Sequence, residues 1–195
     1  MLTVSSVLWI WVSGLLFALL HSLLAAKRCK QWCYAHGLQE PRYRLIYSLL
    51  ALVTTALWAH FVHQLPDQPL YRSDGALFVL LLTLQLVGGV LVLAAFLPID
   101  GLVFLGLKRA EAGGEPFLER GVYRHLRHPM YSGAMLILLA MPEQSWNGLH
   151  FGLVICLYFI VGARLEEARM VADHPEYADY RARVPAFLPL MFLRR

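Results

Sequence analysis

Gly121-Val122-Tyr123-Arg124-His125-Leu126-Arg127-His128-Pro129-Met130-Tyr131-Ser132-Gly133 brings two guanidinium groups, two imidazoles and two phenols directly to the start of an apolar run. That run, Met130 to Met141, is bracketed by Pro129 and Pro142. Proline is tolerated best at helix starts and just past helix ends, so the run reads as one short helix. At 1.5 Å per residue its length is about 18 Å, short of a ~30 Å hydrocarbon core. A second run, His150 to Gly162, is also short and is closed by Arg164-Leu165-Glu166-Glu167. The two runs are expected to form a helical hairpin with its tip at Pro142 to Asn147. Short spans at membrane depth occur where protein lines a cavity, so this end of the chain is expected to carry the site.

Working outward, three longer apolar runs precede the hairpin: residues 4–26, 45–63 and 76–97. Each reaches the ~20 residues a bilayer crossing requires. The first has no basic residues before it and Lys27, Arg28 and Lys30 after it, the reverse of a secretory signal, so it reads as an uncleaved anchor. The 195 residues are 58% hydrophobic and 15% charged, and the mean hydropathy is +0.55. The fold class expected is all-α: a polytopic membrane protein of about five transmembrane helices, the last two a short hairpin, with a C-terminal cytoplasmic amphipathic helix over 164–183. The chain reads as a single integral membrane domain, residues 1–97 a three-helix scaffold and 98–195 a cofactor-binding half.

Charge orients these spans. Segments 27–44, 98–129 and 164–195 hold 16 of the 17 Lys and Arg residues, Arg72 being the exception. The positive-inside rule places all three in the cytoplasm and the N-terminus outside. No basic patch with interleaved aromatics stands apart from the spans, so no nucleic-acid partner is expected. Cys29, Cys33 and Cys156 are too few and scattered for a disulfide framework. Cys29 and Cys33, with His36 beyond, lack a fourth metal ligand. His21, His60, His63 and His150 raise a haem-bearing electron-transfer alternative. No G-x-G-x-x-G follows a strand, which argues against a soluble Rossmann-type enzyme.

Within the polar clusters, Arg124 and Arg127 can present guanidinium forks to a carboxylate or phosphate. His128 precedes a proline and is therefore held out of the helical region. Glu166 and Glu167 are adjacent carboxylates at the end of an apolar run. Such a pair needs cations, and Arg164, Arg127, Lys108 or a sulfonium or ammonium ligand would serve. The loop Ala110 to Pro116 (AEAGGEP) has the composition of a flexible lid.

Gly121 to Gly133, Glu166-Glu167, Tyr177-x-x-Tyr180 and Arg183-Val184-Pro185-x-x-Leu188-Pro189 together resemble the isoprenylcysteine carboxyl methyltransferase family and its phospholipid methyltransferase relatives. His21-Ser22-Leu23-Leu24-Ala25, Tyr43-Arg44-x-x-Tyr47-Ser48 and Gly106-Leu107-Lys108 resemble the branch holding NnrU, nurim and the methanethiol S-methyltransferases. The resemblance implies a multi-pass enzyme of a bacterial inner membrane that uses S-adenosylmethionine on its cytoplasmic side. The acceptor, a lipophilic molecule or a small thiol, carboxyl or amine compound, would enter from the bilayer. By the same resemblance Arg127, His128 and Tyr131 hold the cofactor, with Glu166 or Glu167 near its amino or ribose groups and Tyr123, His125 and Lys108 as further candidates. Arg164 and Glu167 would orient or deprotonate the acceptor. The nurim likeness also leaves open a non-enzymatic scaffold or sensor, and sterol-type reductases of similar fold leave open nicotinamide chemistry.

Overall fold

The computed structural model describes residues 2–109 and 117–188. The expected lid and the chain beyond Leu188 lie outside them. In chain order the helices are α1 (Leu2–Ala25), α2 (Lys27–Ala35), α3 (Glu40–Gln64), α4 (Gly75–Phe96), α5 (Gly101–Phe104), α6 (Pro129–Leu139), α7 (Trp146–Asp173) and α8 (Tyr177–Arg183). A 3₁₀ turn occupies Gly121–Arg124. Two short strands, β1 (Pro69–Arg72) and β2 (Glu143–Ser145), pair antiparallel. Four helices, α1, α3, α4 and α7, are long and apolar enough to cross a membrane, and α6 is a shorter apolar helix. The chain is an all-α polytopic membrane protein.

The C-terminal half departs from the sequence expectation at one place. The run from His150 to Gly162 is not a short hairpin arm followed by a separate helix at 164. It is the middle of a single 28-residue helix, α7, that continues to Asp173. Ala163, Arg164, Leu165, Glu166, Glu167 and Ala168 are all favourable helix formers, so the change from apolar to charged residues does not interrupt the backbone. At 1.5 Å per residue α7 is about 42 Å long, and its last turns extend beyond a ~30 Å hydrocarbon core. The break falls instead at His174-Pro175-Glu176, before the seven residues of α8.

The described residues form two compact units, residues 2–68 with 100–109, and residues 69–99 with 117–188. In the first, α1 and α3 lie along a seam of polar rungs. Trp58 Nε1 donates to Ser13 Oγ at 2.9 Å, and Ser6 Oγ donates to Pro66 O at 2.7 Å. The buried His21 places Nδ1 2.8 Å from Phe17 O and Nε2 3.2 Å from Thr54 Oγ1. Both its ring nitrogens are engaged in packing, while His60 and His63 are exposed, which argues against a shared haem plane. His36 Nδ1 bonds Trp32 O, and among the described residues no cluster of His, Cys, Asp or Glu could hold a metal ion.

The same unit is closed by the turn after α5. Asp100 caps that helix, accepting from Leu102 N and Val103 N, and pairs with Lys108 Nζ at 3.3 Å. These donors hold its carboxyl below the usual range. Gly106 adopts φ +76°, and a Cβ there would lie 2.3 Å from Pro41 O and 2.6 Å from Leu45 N. Gly106→Ala therefore combines left-handed backbone strain with a backbone collision. It is expected to cost about 1–3 kcal/mol, read as a lowered thermal midpoint in detergent.

In the second unit α4 packs on α6 with the two backbones in contact. A Cβ on Gly88 would meet Gly133 O at 2.6 Å, and one on Gly133 would meet Gly88 O at 2.5 Å. Small residues at such a crossing are how helices approach closely in lipid. Gln85 Nε2 donates to Ile137 O at 3.1 Å farther along the same seam. Beyond it the strand pair is reinforced by Ser73, whose N and Oγ both donate to Pro142 O, and by the Arg72–Glu143 ion pair at 3.0 Å. The expected tip at Pro142 to Asn147 is thus a strand followed by a cap: Ser145 Oγ accepts from Gly148 N at the start of α7.

Candidate active site

The polar cluster opens on a 3₁₀ turn and then runs extended into α6. His128 has φ −123° and ψ 64°, the non-helical backbone expected of a residue before proline, and Pro129 begins the helix. Two backbone hydrogen bonds lace this segment to the chain after α8: Arg127 N donates to Pro185 O at 3.0 Å and His128 N to Ala186 O at 3.1 Å. One turn into α6, Ser132 Oγ accepts from Leu188 N at 3.2 Å. The segment after α8 is therefore a structural wall of the cluster.

Inside that wall the side chains converge on Glu167. Its Oε1 accepts from Arg127 Nε at 2.7 Å and lies 2.9 Å from His128 Nε2. Glu167 and His128 are each 7% exposed. Arg127 also donates through Nη1 to Arg181 O at 2.8 Å and to Val184 O. One guanidinium thus ties α7, α8 and the start of α6 together. A buried carboxylate needs such partners, because an unpaired charge there would carry a desolvation penalty of several kcal/mol.

Glu166 is turned about 100° around α7 from its neighbour and is only half-buried. Its Oε2 accepts from Tyr131 Oη at 3.1 Å, and its Oε1 accepts no hydrogen bond among the described residues. The Tyr131 ring is sandwiched. It lies parallel to His128, centroids 5.3 Å apart and planes 1° apart, and to Phe159 at 4.8 Å and 5°. Phe187 also stacks on His128, centroids 5.7 Å apart and planes 29° apart. Together the four rings hold the imidazole and the phenol in register with the two carboxylates.

Beneath the cluster Tyr177, Tyr180 and Val184 form a buried core with Phe117, Met170 and Val171 against it. Tyr180 Oη donates to Tyr123 O at 2.6 Å. Burial, and then the charge of Glu167, push the Tyr177 phenol up to about 12. Burial raises the phenols of Tyr180 and Tyr123 as well. These tyrosines stay neutral at physiological pH and act as packing and hydrogen-bonding groups.

Of the residues singled out in the sequence, Arg127, His128, Tyr131, Glu166 and Glu167 are brought together. Tyr123 sits at the edge, its hydroxyl donating to Ala95 O at 3.3 Å. His125 and Arg164 are exposed, Arg164 one turn before Glu167. Lys108 belongs to the other compact unit, where it pairs with Asp100. Phe159 and Phe187 were not anticipated, since each stands in an apolar stretch with nothing to distinguish it. The carbonyls of Arg181 and Val184 are invisible to side-chain reasoning altogether.

The NnrU protein family model matches residues 9–186. The chain is 31% identical to methanethiol S-methyltransferase 2 of Bradyrhizobium diazoefficiens, over 92% of its own length and 72% of the relative's. It is 31% identical to methanethiol S-methyltransferase of Pseudomonas deceptionensis, over 89% and 69%. The protein of that name from Crocosphaera subtropica is 28% identical, over 90% and 72%. No solved structure matches. With the match spanning both polar clusters and every long helix, the chain belongs to the NnrU protein family.

Proposed function

We propose that this chain is a membrane methyltransferase that uses S-adenosylmethionine to methylate a thiol acceptor reached from the bilayer. The observation that carries the proposal is the division of labour between the two adjacent glutamates. Glu167 is paired with Arg127 and held by His128, whereas half-buried Glu166 accepts only from Tyr131 among the described residues. A site for a molecule bearing both a sulfonium and an ammonium group needs such an anionic contact held next to a rigid frame. The relatives named as methanethiol S-methyltransferases support the same reading.

When bound, S-adenosylmethionine supplies a methyl group on a sulfonium whose positive charge disappears as the methyl leaves. The chain's own residues have three tasks around it. Glu166, steadied by Tyr131, contacts the cofactor's cationic groups. Arg127, His128 and Glu167 fix the floor of the site, and the aromatic stack of Phe187, His128, Tyr131 and Phe159 keeps water out. Alignment and exclusion of water are the main demands of an in-line displacement. Glu167, its Oε1 already shared by two donors, is a weak base in this geometry and orients rather than deprotonates. Arg164, exposed one turn away, is assigned to placing the acceptor, with Tyr123, His125 and Lys108 as further candidates for the cofactor. The distribution of Lys and Arg supports a cytoplasmic site with the N-terminus outside.

Calorimetric titration of S-adenosylhomocysteine into detergent-purified protein tests this directly. Binding is expected, and Glu166→Gln is expected to weaken it about tenfold to a hundredfold, the worth of a charge-assisted hydrogen bond. Absence of binding by protein shown to be folded would remove the proposal.

A further inference from the structure

Beside the cluster, in the same compact unit, α4 and α6 leave a cavity of about 290 Å³. It is lined by Leu81 and Leu84 from α4, by Ser132, Met135 and Leu139 from α6, and by Leu188. It borders the wall of the site through Ser132 and Leu188. Ser132 follows Tyr131 in α6, its backbone N–H bonds His128 O, and its hydroxyl accepts from Leu188 in the wall of the site. Among the described lining residues the Ser132 hydroxyl is the one polar side-chain group, and its oxygen accepts from Leu188 N. The described lining therefore offers no charge and a single hydroxyl, and it selects hydrocarbon.

Its size decides what kind. At roughly 30 Å³ per water-sized group, the space takes about ten heavy atoms. A one-carbon thiol would leave most of it empty, and an empty apolar cavity at a substrate's side is unused binding energy. We infer that this cavity holds the hydrocarbon body of the acceptor. The acceptor class is then an aliphatic or arylalkyl thiol of about six to nine carbons rather than a one-carbon thiol. The inference rests on the methyltransferase reading above and deepens it. In the reaction the acceptor's S–H proton is released to solvent. Its sulfur forms the new S–CH₃ bond as the sulfonium's bond to that methyl breaks, the electron pair staying with the departing sulfur. The products are a methyl thioether, S-adenosylhomocysteine and a proton.

The test is a chain-length series, methanethiol to dodecanethiol, run on wild-type protein and on Leu84→Trp, which fills the cavity from α4. In the wild type kcat/KM is expected to rise about three- to fourfold per buried methylene. The rise should stop once the cavity is full, so dodecanethiol gains nothing over nonanethiol. Leu84→Trp is expected to lower the hexanethiol-to-methanethiol ratio of kcat/KM at least tenfold. Partition of long thiols into micelles is common to both proteins and cancels in that comparison. If Leu84→Trp does not fold, Leu81→Phe reads the same ratio. Turnover with a ratio unchanged by either substitution would overturn the inference while leaving the methyltransferase reading intact. That is the result expected if a bilayer acyl chain merely packs the cavity. S-adenosylhomocysteine binding without turnover of any thiol would overturn both the thiol reading and the inference drawn from it.

Discussion

Arg127→Ala is expected to abolish S-adenosylhomocysteine binding, lower turnover a hundredfold or more, and destabilise the protein by about 3 kcal/mol or more. The loss of three of its four interactions explains the size. The guanidinium satisfies Glu167, and it satisfies the carbonyls of Arg181 and Val184, while its own backbone N–H holds Pro185 O. Alanine keeps only the last of these and strands a buried carboxylate on His128 alone. Removing one member of a buried pair is far more damaging than replacing the pair, so Arg127→Met with Glu167→Leu should recover part of the stability but none of the binding. Arg127→Lys should fall nearly as far as alanine. A point-charge ammonium can meet Glu167 but cannot also span the two carbonyls of the chain around α8. The checks are thermal unfolding in detergent, calorimetry with S-adenosylhomocysteine and a thiol methylation assay. Wild-type-like binding by Arg127→Lys would show that the fork geometry is dispensable.

The second large effect is expected at the α4–α6 crossing. Gly133→Ala puts a methyl 2.5 Å from Gly88 O, and both partners are backbone, so the helices must separate. A cost of about 2–3 kcal/mol is expected, since overpacking a well-fitted contact forces backbone shifts. The expected readout is a lowered thermal midpoint and weakened S-adenosylhomocysteine binding, because α6 begins just after His128 and carries Tyr131. Gly89→Ala is the control. It is adjacent in sequence to Gly88, yet a Cβ there meets nothing within 4 Å, so its midpoint should stay at wild type or rise slightly. Equal effects of Gly133→Ala and Gly89→Ala would mean that helix propensity, not the crossing, was being measured.

These two predictions also separate what was legible in the sequence from what was not. The spans α1, α3 and α4 followed from apolar length alone and fell within a few residues of expectation. The kinked backbone at His128 followed from Pro129. The continuation of α7 through Glu167 did not, because a change in polarity along a helix marks the membrane boundary and leaves the hydrogen-bond ladder untouched. The strands β1 and β2 are four and three residues long, with no alternating pattern to announce them. That Glu166 and Glu167 needed cations was readable. Which one is buried was not, since it depends on where Arg127 sits in three dimensions. Gly88-Gly89 was visible inside the third run, but only a partner helix distinguishes the two glycines.

The wall that Pro185, Ala186 and Leu188 build against the cluster has a consequence for how the protein is made. Every contact that Arg127 makes with the chain around α8 waits for residues synthesised after the last membrane-spanning helix. Insertion of the spans and completion of the site are therefore separate events in time, and the first cannot carry the second with it. Until the final segment docks, Arg127 can meet Glu167 but not the carbonyls of Arg181 and Val184. Premature termination between 174 and 184 is expected to leave Arg127 without the Val184 carbonyl and without Pro185.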